Sequence, residues 1–149
     1  QGRRDKANRK IAEEAGPPVA SPVAEEDFDA GWRSNLIELG LARLEQYQAD
    51  NPGNLYFDVL RLRSSQPDLD STALASRLSA TSGREINAAG YRQQLKRART
   101  RFAEFLVEEI ADGLDQPSLE SVQDELIAVG LLDYIRDVLP EAWQARQRG

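Results

Sequence analysis

One run constrains this chain more than any other: "NAAGYRQQLKRARTRFAEFLVEEIA", residues 87–111. Advancing about 100° per residue from Tyr91, the residues Leu95, Ala98, Phe102, Phe105 and Leu106 all fall within roughly 60° of it. That continuous apolar stripe at helical period predicts one long amphipathic helix from an Asn87 cap to Ala111. The rest of its circumference carries Arg92, Gln93, Gln94, Lys96, Arg97, Arg99, Thr100 and Arg101, and no acid appears between Asn87 and Phe102.

The remaining chain reads as shorter helices with the same logic. Phe28, Trp32, Leu36, Ile37, Leu39, Leu44 and Tyr47 recur at three- and four-residue steps, and "ADNPGN" stops that run with turn residues. Leu55 to Leu62 is expected to be helical, with a strand as the alternative. Asp70 or Ser71 is placed to cap "STALASRL", and "SATSGRE", residues 79–85, reads as a polar turn. Ser118 is placed to cap a helix bearing Leu119, Val122, Leu126 and Ile127. "LLDYIRDVL" supplies a last helix, ended by Pro140. The expected fold is all-α: a small helix-turn-helix bundle of five to six helices with a flexible amino-terminal segment. The expected division is a basic tail and Pro-rich linker over 1–26, a helix-turn-helix unit over 27–112, and an acidic helical extension over 113–149. Aromatic residues at 7% fit this better than a β-sandwich.

Charge is segregated along the chain. Its total is −6, yet residues 84–101 carry net +5 and residues 102–141 carry net −10. Clustered cations on one helical face suit a polyanion, and duplex DNA carries a charge about every 1.7 Å of its axis. Arg and Gln are the side chains that read guanine and adenine edges, while Lys and Arg clamp phosphates. A solvated basic face is the plainer alternative, with Glu104 and Glu108 pairing Arg101 and Arg97 along the helix. The acidic block is expected to keep the chain soluble, or to fold back on the basic helix and compete with DNA.

Catalysis finds little to work with. The chain holds no histidine and no cysteine, which removes the commonest general base, the commonest zinc ligand and any thiolate. The acid pairs Glu108/Glu109 and Asp124/Glu125 point about 100° apart on a helix and read as solvated faces. No enzyme activity, metal or cofactor is expected. No apolar run approaches the length of a membrane span, and cytoplasmic location is the expectation. The absence of methionine and the opening "QGRRDKANRK" read as a cut through a longer polar segment.

The segment "TALASRLSATSGREINAAGYRQQLKRARTRFAEFLVEEI" resembles the carboxy-terminal helix-turn-helix domain of bacterial RNA polymerase sigma factors of the extracytoplasmic-function type, in a divergent group with a carboxy-terminal tail. A motif of the form L-A-x-R-L appears as Leu74, Ala75, Arg77 and Leu78. The basic stretch, aromatic, acid and leucine that end the second helix appear as Leu95, Arg97, Arg99, Arg101, Phe102, Glu104 and Leu106. The likeness runs over residues 28–139. It departs at the turn, where "SATSGRE" is several residues longer than the tight turn of that family.

The resemblance implies transcription initiation: recognition of the upstream, minus-35-type promoter element in double-stranded DNA, docking on RNA polymerase core, and control by an anti-sigma or other regulatory protein. It places Tyr91, Arg92, Gln93, Gln94, Lys96 and Arg97 on the recognition helix; Arg99 and Arg101, further along that helix, are expected to meet phosphates. The rival reading is an acidic helical protein-interaction module that touches no nucleic acid.

Overall fold

The computed structural model describes residues 21–148, with side chains from residue 30 onward. The basic tail and most of the Pro-rich segment therefore lie outside the described residues. The chain folds into α1 (Ser21–Asp50), α2 (Tyr56–Ser65), α3 (Ser71–Ser82), α4 (Ala88–Asp112), α5 (Leu119–Ala128), α6 (Leu132–Ile135), a 3-10 turn (Arg136–Val138) and α7 (Leu139–Arg148), with no strand among the described residues. The all-α expectation holds.

Short polar side chains set the helix starts. Asp70 Oδ1 accepts the Ala73 N–H at 2.9 Å, Asn87 Oδ1 accepts that of Gly90 at 2.7 Å, and Ser118 and Ser121 form a reciprocal capping box. Each satisfies a donor that the first turn leaves unpaired, worth about 1 kcal/mol. The start of α2 is capped from another helix instead. Gln48 Oε1, on α1, accepts the N–H groups of Phe57 and Asp58 at 2.8 and 3.1 Å.

Three boundaries differ from the sequence reading. α1 is already helical at Ser21, the first described residue, inside the segment expected to be linker. Pro140 opens α7 rather than ending a helix. The third concerns "SATS", which is helical to Ser82. Ser79 Oγ donates to the Ala75 carbonyl at 2.8 Å and accepts the Ile86 N–H at 2.9 Å, and Thr81 donates to the Arg77 carbonyl at 3.2 Å. Back-bonding of this kind lets hydroxyl side chains sit inside a helix. The connection to α4 is therefore only Gly83–Asn87, with Gly83 at φ +75°, a conformation that favours glycine. The expected long turn over 79–86 is replaced by a tight one.

Two apolar clusters lie along α4. The smaller joins Val59 of α2, Leu74, Ala75 and Leu78 of α3, and Tyr91. The larger joins Leu36 and Leu44 of α1 to Phe102–Ala111 of α4 and to Val122, Leu126, Val129, Leu131, Leu132, Ile135, Val138, Leu139 and Ala142. The extension after residue 112 thus supplies half of the larger cluster's buried residues, nine of eighteen. α1 reaches α4 closely at Gly40, where an added Cβ would stand 2.6 Å from Phe102 Cε1. Arg33 fastens the extension, donating to the Val129 carbonyl at 2.9 Å.

Candidate nucleic-acid interface

The amino-terminal half of α4 is presented to solvent because only one stripe of it is used by the α2–α3 cluster. Tyr91 and Ala98 face inward, and Arg92, Gln93, Lys96 and Arg97 are exposed. Arg92, Lys96 and Arg97 have no carboxylate within ion-pair distance among the described residues. Together with Tyr56, Thr100 and Arg101 they line a shallow depression of about 640 Å³. Its wall also includes Glu104, about one turn beyond Arg101 on α4, and Glu141 of α7.

A second depression, about 230 Å³, lies at the start of α4, between Leu55, Arg84, Asn87, Gly90, Gln93 and Gln94. Gln93 lines both. Gln94 is half-buried, and its Oε1 is enclosed with no donor among the described residues. Arg84, exposed beside the tight turn, reaches the Gly53 carbonyl at 3.2 Å.

Three expected contacts are placed elsewhere. Tyr91 is fully buried, and its hydroxyl donates to the Val59 carbonyl at 2.7 Å. Burial pushes its pKa up to about 12, with Arg63 pulling it back slightly. A residue on the apolar stripe cannot also read a base, so Tyr91 is removed from the surface set. Arg99 is bidentate to Asp137 at 2.6 and 2.9 Å and donates to the Tyr134 carbonyl at 2.6 Å. The hydrogen-bonded carboxylate raises the guanidinium further, and Asp137 is held below the ordinary carboxylate range by Arg99, with Lys96 adding in the same direction.

Arg101 pairs with Glu104 at 2.8 Å and lies 4.6 Å over the Tyr47 ring, which stacks on Tyr56. Burial raises the Glu104 pKa, and Arg101 opposes that rise. Arg99 and Arg101 therefore serve the bundle first. The pairing expected within α4 is half realised. Glu104 meets Arg101, but Glu108 turns to Arg43 of α1 at 2.6 Å, where the guanidinium also lies 4.3 Å from the Phe105 ring centroid.

Arg43, Gln48 and Asp137 shape this region, and none stood out in the sequence. Each acts across 9 to 65 residues of chain, a distance over which helical periodicity carries no signal. Among the described residues no group of three acids could hold a metal ion, and no helix is long and apolar enough to cross a membrane. No protein-family model matches the chain, and no curated protein or solved structure matches it.

Proposed function

We propose that α3 and α4 form a sigma-factor-like helix-turn-helix unit that recognises an upstream promoter element in duplex DNA while the chain docks on RNA polymerase core in the cytoplasm. One observation carries this reading: the second helix of a tightly turned pair presents Arg92, Gln93, Lys96 and Arg97 outward on one face, with the three cations unpaired by described carboxylates. In this arrangement the amino-terminal part of the second helix enters the major groove. Arg92 and Gln93 are then nearest the base edges, and Lys96 and Arg97 meet phosphate or base. The enclosed Gln94 Oε1 leaves that residue a lesser part.

Selection of bound duplexes from a random pool by the full chain tests this. The expected result is an enriched sequence whose preference is lost in Arg92→Ala or Gln93→Ala, while Lys96→Ala weakens all duplexes alike. A pool that stays random after repeated selection would sink the proposal.

A protein-interaction module remains the second reading, favoured by Ile127 and Tyr134, large apolar side chains left 56% and 66% exposed on the acidic extension. It predicts that charge reversal at Arg92 and Lys96 leaves partner binding intact. An RNA polymerase subunit or a regulatory protein would be the partner in either case.

A further inference from the structure

The cationic face of α4 does not end at Arg97. Arg99 continues it in sequence, but both terminal nitrogens of Arg99 are taken by Asp137, and one also by the Tyr134 carbonyl. One helical turn beyond Asp137, Glu141 stands in the wall of the depression that Arg92, Lys96 and Arg97 line. Both acids come from the segment where the net charge is −10. They are held over α4 by Val138, Leu139 and Ala142, which are buried in the larger cluster. Two carboxylates are thus brought, from the other end of the chain, to the surface that a phosphate backbone would use.

We infer that Asp137 and Glu141 are a built-in competitor for DNA: they occupy the carboxy-terminal part of the cationic face of α4 and confine duplex binding to its first three turns. The inference rests on the DNA-binding reading above and adds its regulation. The Asp137 side chain is 62% exposed while Arg99 is 28% exposed. With the carboxylate that open to solvent, a phosphate can reach Arg99 and compete with Asp137 for it. The competition therefore lowers affinity and is relieved when a partner draws the acids away. Deleting the extension cannot test this, because its buried residues complete the core. Point substitution at the two exposed acids can.

The experiment is a fluorescence anisotropy titration of a labelled duplex with the full chain and with Asp137→Ala/Glu141→Ala, each at several salt concentrations. The double variant is expected to bind about fivefold tighter near physiological salt, with the log–log salt slope steeper by about 0.9, the value of one added phosphate contact. Adding Arg99→Ala to the double variant should remove that extra slope. Asp133→Ala breaks the Arg136–Asp133 pair, 3.0 Å long and turned outward, and alters net charge without touching this surface, so it should bind as the unsubstituted chain does. If the unsubstituted chain binds and the double variant binds no tighter, the inference is wrong. The same holds if Asp133→Ala tightens binding per charge as much as the double variant, since bulk charge then explains the gain. If folded proteins of every kind fail to bind even at low salt, the DNA-binding reading itself falls and takes the inference with it.

Discussion

The Tyr91 hydroxyl donates to the Val59 carbonyl from a side chain with no exposed surface, so it ties α4 to α2 within the smaller apolar cluster. Tyr91→Phe removes one buried donor and should cost about 1 kcal/mol in chemical denaturation. Tyr91→Ala also opens a cavity and should cost about 3–5 kcal/mol. Because burial raises the folded-state pKa from 10.0 to about 12, the unfolded chain ionises first. Stability is full below pH 10 and falls as pH rises toward 12, and Tyr91→Phe should flatten that alkaline limb in a pH series of melts. Asp137 behaves oppositely. Its folded pKa is depressed, chiefly by the Arg99 hydrogen bond, so its contribution is present above the ordinary carboxylate pKa and fades as pH falls through the lowered value.

At the scale of elements, α4 works as two half-helices with different tasks. Its first half holds the α2–α3 cluster and leaves an exposed cationic arc, while its second half is the spine of the larger cluster. Gly40 sets the distance between that spine and α1. Gly40→Ala would push a methyl group into the Phe102 ring, which should cost about 1–3 kcal/mol. Unchanged thermal stability would show that the helices can part freely there. Asn87→Ala should cost about 1 kcal/mol by uncapping α4.

These local features were legible in the sequence for a physical reason: caps, stripes and breaks depend on residues a few positions apart. The apolar stripe from Tyr91 to Leu106 and the caps at Asp70, Asn87 and Ser118 are of that kind. The polar "SATS" misled because hydroxyl groups that favour loops can also bond back to their own helix. Pro140 misled because proline stops a helix in its interior but suits its first turn. Arg99 could not be read at all. Helical periodicity says which way a side chain leaves its own helix, whereas its partner Asp137 is set by how α7 packs. Tyr91 was the avoidable error, since its place on the stripe already gave it to the core.

For the whole molecule, the acidic extension and the basic helix form one structure. Each fully buried Leu, Ile or Val contributes about 1.5–3 kcal/mol, and the nine buried residues after position 112 together outweigh the usual net stability of about 5–15 kcal/mol. A chain ended at Asp112 should therefore show no cooperative melt by circular dichroism, and a sharp transition there would mean that the helix-turn-helix unit stands alone. Charge follows the same division of labour: among the described residues the acids pair with Arg43, Arg99, Arg101, Arg136 and Arg146 and leave Arg92, Lys96 and Arg97 outward.

That outward set makes a single measurable claim. With the intact chain and a duplex of moderate length, affinity followed by anisotropy across salt concentrations should give a log–log slope near −1.8, about 0.9 for each of the phosphate contacts of Lys96 and Arg97. Arg92→Ala/Lys96→Ala/Arg97→Ala should bring that slope close to zero. Binding that ignores salt, or a slope that survives the triple substitution, would contradict a nucleic-acid role for this face of α4.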